Sequence, residues 1–141
     1  MISFNRTPVA TFILGLLFVA VSVVPSSGAE GPRVFFTEPT DKMIINSPVK
    51  VTMGVENFTV EPAGTVKNGA GHLHIMVDTD CIAAGRVVPK DDTHLHYGKG
   101  QMEAHLQLSS GPHTLCLQAA DGAHVALSGD GLTNKITIVI K

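Results

Sequence analysis

Two His-x-His motifs, at residues 72–74 and 94–96, are the features of this chain most able to do chemistry. Each lies in a segment that alternates apolar and polar residues as a β-strand does, so the histidines of each pair should share one face. Side chains two residues apart on a strand stand about 7 Å apart on the same side, so two imidazoles can converge on one ligand. Two such strands side by side would present four imidazoles, a set that suits copper, zinc or nickel.

The candidate metal ligands are the four motif histidines, two alternates and one thioether: His72, His74, His94 and His96, then His105 and His124, and Met76. A thioether favours copper(I), so we place copper before zinc. Asp78 is expected to orient a ligand ring from outside the coordination sphere. The alternative is that some histidines are hydrogen-bonded framework residues, and we expect this role for His113 in particular.

Short strand-like runs separated by Gly, Pro, Asn and Asp predict the elements that position these residues. The predicted strands are Arg33–Thr37, Val49–Val55, His72–Asp78, His94–Tyr97, Met102–Leu108, His113–Gln118 and Lys135–Ile140. About seven short strands in about 110 residues are typical of an immunoglobulin-like antiparallel β-sandwich, with a partly closed barrel as the alternative. The histidine face should lie opposite the core, on the outside of the sheet.

The clearest predicted hairpin joins Met102–Leu108 to His113–Gln118 through the turn Ser110-Gly111-Pro112. In that pairing Ala104, Leu106 and Leu108 face the core, and His105 faces out with the other histidines.

The first 29 residues read as a signal peptide, with a positive charge at Arg6, an apolar run and small residues before the cleavage position. Residues 30–141 then form a single small domain that is periplasmic or secreted, an uncleaved anchor being the alternative. No apolar run after residue 30 approaches the length of a membrane helix.

In an oxidising compartment Cys81 and Cys116 are most simply a disulfide, and a free thiol that binds metal is the alternative. Alternation points Cys116 away from the core.

Charge and motifs exclude several classes of function. A mildly acidic mature chain with no basic run argues against a nucleic-acid partner. No Gly-x-Ser-x-Gly elbow is present, and a disulfide removes the thiol nucleophile, so we expect no enzyme. A blue-copper site is excluded because no methionine follows Cys116.

Several motifs together resemble a family of bacterial exported proteins, the domain-of-unknown-function family numbered 4399. They are the His-rich strand after Gly71, the segment Asp91–Ala104, the turn Gly111–Leu115, the loop Asp121–His124 and the final strand Ile136–Ile140. Relatives often carry Gly-His-His-His at the first motif, where this chain has Leu73. The resemblance implies that the histidines, all between residues 72 and 124, act together.

The sequence thus predicts an exported, non-catalytic β-sandwich that binds a transition metal through His72, His74, His94 and His96. The alternative is a metal-free module that recognises a cell-envelope ligand and uses its histidines as framework. Scarce aromatic residues argue against a glycan as that ligand.

Overall fold

The computed structural model describes residues 30–141, and the predicted signal peptide at 1–29 lies outside the described residues. The described chain is all-β, without a helix. Its strands are β1 (Arg33–Glu38), β2 (Ile44–Ile45), β3 (Val49–Glu56), β4 (Thr59–Val60), β5 (Ala70–Val77), β6 (His94–Tyr97), β7 (Glu103–Leu106), β8 (Gly111–Ala120) and β9 (Thr133–Ile140). All seven predicted strands are present, and β2 and β4 add two residues each. Between residues 30 and 141 no helix has the length and hydropathy to cross a membrane.

The strands form two sheets in a sandwich-like arrangement, which confirms the predicted all-β class. The smaller sheet has the order β1-β3-β7 and is antiparallel throughout. The larger sheet has the order β2-β9-β8-β5-β4, with β6 also paired to β5. Most of its pairs are antiparallel, while β2 runs parallel to β9 and β4 runs parallel to β5.

The main core lies between the two sheets because alternate residues of each strand point inward. The larger sheet contributes fully buried Leu73, Ile75, Leu115 and Leu117, which come from β5 and β8. The smaller sheet faces them with the inward residues of β1, β3 and β7. On β5 the intervening residues therefore point to the opposite face of the larger sheet.

That opposite face is covered by a second layer of chain. Segments 78–93 and 121–126 lie over it, and a second apolar cluster fills the space beneath: Met76, Val88, Cys116, Ala120 and Ala126. The disulfide between Cys81 and Cys116 ties the first segment to β8, as predicted. Cys116 does point away from the main core, yet it is fully buried because this second layer covers it.

Hydrogen bonds hold the second layer in place. The side-chain amide of Gln118 accepts a bond from the backbone N–H of Ile82 at 2.8 Å and donates one to its carbonyl at 2.7 Å. The two covering segments also bond to each other, since the N–H of Ala126 donates to Arg86 and the N–H of Val88 donates to the carbonyl of His124. The second layer is thus hydrogen-bonded to the sheet, and its two segments are hydrogen-bonded to each other.

The predicted hairpin between Met102–Leu108 and His113–Gln118 is wrong. Strand β7 pairs with β3, whereas β8 has β5 on one edge and β9 on the other. The inward residues of β7 and β8 lie on opposite sides of the same core, so the turn at 109–111 carries the chain from one sheet to the other. Alternation identified the buried faces correctly, but it does not determine which strands are neighbours.

Candidate metal centre

Three of the histidines are brought together by strand register. His72 and His74 alternate with core residues on β5, and His96 lies directly opposite His74 on the neighbouring strand β6. On the other side of β5, His72 lies opposite Ala120 and His74 opposite Gln118. The ring centroids of His72 and His74 are 4.8 Å apart, and those of His74 and His96 are 5.0 Å apart.

The fourth histidine, His124, comes from the loop that follows β8. The carboxylate of Asp121 accepts bonds from the N–H groups of Ala123 and Val125, and the carbonyl of Asp121 accepts one from the N–H of His124. His124 has a φ of 65° in the left-handed region, which histidine enters more readily than most residues. Because β8 ends beside His72, this tight turn directs the His124 ring back over the sheet.

The four rings form one compact cluster. One ring nitrogen from each of them lies within 4.8 Å of those of all the others. His74 Nε2 is 2.9 Å from His72 Nε2, and His72 Nε2 is 3.1 Å from His124 Nδ1. Four nitrogens around a tetrahedral zinc or copper ion would stand about 3.3 Å apart, given metal–nitrogen bonds of about 2.0 Å. The separations of 2.9 and 3.1 Å are close to that value, and the wider separations, up to 4.8 Å, would have to close for all four nitrogens to bind one ion.

The family of the chain can now be stated. Residues 51–141, which include every histidine of the chain, match the model of the family described as Domain of unknown function (DUF4399). The chain belongs to this family. No curated protein and no solved structure matches it.

Burial distinguishes this DUF4399 cluster from an exposed group of histidines. His72 and His74 are 0% and 1% exposed. Three buried ring nitrogens have no hydrogen-bond partner among the described residues: His72 Nδ1, His74 Nδ1 and His96 Nε2. A buried polar atom left unpaired costs about 1–3 kcal/mol, so this cluster is poorly satisfied by the protein alone. On His72 and His74 the nitrogen that faces the cluster is the other one, Nε2, which already lies within hydrogen-bond distance of a neighbouring ring.

Burial and neighbouring rings keep His72, His74 and His96 uncharged at neutral pH. Burial, followed by the neighbouring His72, His96, His124 and His94, lowers the pKa of His74 to about 3. Burial and the adjacent His96 and His124 lower the pKa of His72 to about 4, against an opposing effect of Asp121. The pKa of His96 is also lowered, first by burial and then by His124 and Lys90. Neutral imidazole is the form that binds a metal ion.

Two glycines permit the close approach of cluster elements. A Cβ on Gly98 would overlap the ring of His96, two residues earlier. A Cβ on Gly122 would overlap the carbonyl oxygens of residues 64 and 65, against which the His124 loop packs. Both positions therefore need glycine for a steric reason that concerns a cluster histidine.

The structure corrects the predicted quartet in one member. His94 lies opposite Met76 rather than in the cluster, and its Nδ1 is 2.8 Å from Asp91 Oδ1. His124, predicted only as an alternate, takes the fourth position. His105, the other alternate, is exposed on β7 of the smaller sheet and is remote from this face. The histidines do share the face opposite the main core, as predicted, but the second layer covers this face and buries His72 and His74 completely.

Met76, Asp78 and His113 have other surroundings. Met76 lies on the histidine face, fully buried in the apolar cluster with Cys116 and Val88. Asp78 does orient a ring, but it is that of His113, whose Nδ1 is 2.7 Å from the carboxylate. His113 Nε2 is 2.8 Å from the carbonyl oxygen of Ser109, in accordance with its expected framework role. Burial opposes protonation of His113, but the bonds to Ser109 and Asp78 outweigh it and raise its pKa.

Sequence reasoning ranked His124 too low because it lies outside any strand. Its loop, Asp121-Gly122-Ala123-His124, does carry a local signal, since Asp and Gly favour a tight turn. The position of that turn beside His72 depends on the register of β5 and β8, which the sequence does not specify.

The metal-free protein should lose stability as the pH falls below 6.5. His72 and His74 have folded-state pKa values below the unfolded value, so the unfolded chain binds more protons between about pH 6.5 and pH 4. The contribution of these two neutral rings to the free energy of unfolding is complete above pH 6.5. It declines as the pH falls, by an amount on the order of a few kcal/mol. Chemical denaturation with a chelator at pH 7.5, 6 and 5 measures this. His74→Leu should give a shallower decline, and parallel profiles for the two proteins would contradict the assignment.

Gly98→Ala should displace the His96 ring while leaving the sheet paired, because the added Cβ overlaps that ring. Imidazole ¹⁵N resonances report ring position and tautomer, and we expect the His96 signals to shift and metal affinity to fall about tenfold or more. Gly31→Ala is the matched control, since a Cβ there meets no neighbouring atom. Unchanged resonances in Gly98→Ala would show that the ring tolerates the contact.

Proposed function

We propose that this DUF4399 protein is an exported, non-catalytic protein that binds one transition metal ion through His72, His74, His96 and His124. Copper is the preferred ion, with zinc second. The observation that carries the proposal is the convergence of four imidazoles, two of them fully buried, with one ring nitrogen from each within 4.8 Å of those of the others.

The donor set supports a transition metal over the hard cations. The cluster contains only imidazole nitrogens, whereas calcium and magnesium require oxygen ligands. Imidazole binds copper, zinc and nickel well, and for a given nitrogen site copper(II) generally binds most tightly of the three. The absence of a thiolate or carboxylate from this cluster also leaves the bound ion its full positive charge.

The surroundings of the cluster support a storage or carrier role. The second layer covers the rings, and the disulfide that anchors it is typical of proteins outside the cytoplasm. A covered site with four protein ligands resembles structural and storage sites more than catalytic ones, which keep a coordination position open. We therefore propose that the protein buffers, carries or senses the metal in the cell envelope.

A second candidate function is a metal-free recognition module in which the histidines are framework. It is favoured by the distances of 2.9 and 3.1 Å between ring nitrogens, which allow the rings to bond to one another. This arrangement leaves three buried ring nitrogens without a partner among the described residues: His72 Nδ1, His74 Nδ1 and His96 Nε2.

The double variant His74→Ala/His96→Ala tests the proposal. Untagged protein is loaded with copper(II) or zinc(II) and desalted, and its metal content is measured by elemental mass spectrometry. We expect about one ion per wild-type chain and almost none in the variant, since only two ligands remain. The metal should also raise the unfolding temperature of the wild type alone, because it binds only the folded site.

His105→Ala is the control, since it removes an exposed histidine from the smaller sheet and should leave the metal content unchanged. Circular dichroism verifies that each variant is folded. Wild-type protein that retains no metal, together with a double variant that no longer unfolds cooperatively, would favour the framework function instead.

A further inference from the structure

The burial of the cluster raises the question of how an ion reaches it. His72 and His74 are inaccessible to solvent, so a hydrated ion must first meet a partly exposed ring at the margin of the cluster, where His96 and His124 lie. His94 lies at that margin, with 12% of its side chain exposed. It shares a strand face with His96. It lies opposite Met76, which is two residues after His74 on β5.

The spacing at this margin suits transfer of an ion between ligands. His94 and His96 are two residues apart on one strand, about 7 Å between their Cβ atoms, and His74 is the diagonal cross-strand neighbour at a similar separation. Imidazole rings extend several ångströms beyond Cβ, so rings at these positions are able to bind the same ion.

The hydrogen bond to Asp91 orients the His94 ring so that its Nε2 atom is able to bind a metal ion. Asp91 Oδ1 lies 2.8 Å from His94 Nδ1 and also accepts bonds from the backbone N–H groups of Thr93 and His94. These bonds hold the pKa of the Asp91 carboxyl well below its usual range, that from His94 most of all. A carboxylate that accepts the Nδ1–H bond leaves a lone pair on Nε2, the same arrangement that orients metal-binding histidines in general. The Asp91 side chain is itself about half exposed, so the pair lies at the surface.

We propose that His94, oriented by Asp91, is a capture ligand that binds the incoming metal ion through Nε2 and passes it to His74 and His96. The inference rests on the proposed metal-binding function. In the capture step, a bond from the ion to Nε2 forms as a bond from the ion to water breaks. In the transfer step, bonds to His74 and His96 form as the bond to His94 and a second bond to water break, and no electron is transferred.

The proposal makes a kinetic prediction. A ligand used only on the path to the site lowers the barrier in both directions, so its loss slows association and dissociation equally. Replacement of His94 by Ala should slow both rates about tenfold, since the ion is no longer held near the cluster, while Kd stays within about twofold. Asp91→Asn keeps the ring but removes its carboxylate partner, and it should slow both rates by a smaller factor.

Stopped-flow fluorescence with copper(II) in a weakly coordinating buffer measures these rates. The chain has no tryptophan and a single tyrosine, Tyr97, which directly follows His96 and should be quenched by copper(II). Dissociation is followed by transfer to a chelator, and equilibrium competition gives Kd. His105→Ala is the matched control for loss of an exposed histidine, and circular dichroism verifies the fold of each variant.

The outcomes separate this inference from the proposed function. Slower rates at unchanged Kd support the capture role. Unchanged rates in His94→Ala overturn it and leave the four-histidine site intact, and a weaker Kd overturns it by making His94 a resident ligand. A wild type that binds no copper overturns both proposals.

Discussion

The burial of strand β5 on both of its faces is the constraint on which the rest of the structure depends. Leu73 and Ile75 fill the core between the sheets, and the intervening His72 and His74 are buried just as completely on the other side. Burial of polar rings is unfavourable unless they find partners, and neighbouring imidazoles supply only some of these. The sandwich core thus forces two histidines into an enclosed space, and the other two rings complete that space.

The second layer is what turns a histidine-bearing sheet into an enclosed site. Without segments 78–93 and 121–126, the face that carries Met76 and Cys116 would be an exposed apolar surface beside the histidines. Gln118 bonds to Ile82 on one segment, and Val88 on that segment bonds to His124 on the other. The disulfide, the apolar cluster and the fourth histidine therefore belong to one connected covering.

Sequence periodicity predicted the strands and the faces of their residues, because the two-residue repeat is a local property of the chain. It placed His72, His74 and His96 on one surface, and Ala104 and Leu106 in the core. It did not predict that β8 lies between β5 and β9, because the pairing of distant strands depends on how whole sheets pack. The same gap explains both main errors: the hairpin to β8, and the choice of His94 over His124.

The origin of the four ligands has a consequence for coordination number. Three rings are fixed by the register of β5 and β6, whereas His124 depends on one tight turn that contributes to neither sheet. A change confined to residues 121–124 would leave three nitrogens in place and one position of the ion open to solvent or substrate. In zinc proteins this difference separates closed structural sites from open catalytic ones. In this fold, a single loop therefore determines whether a bound ion is sealed or chemically available.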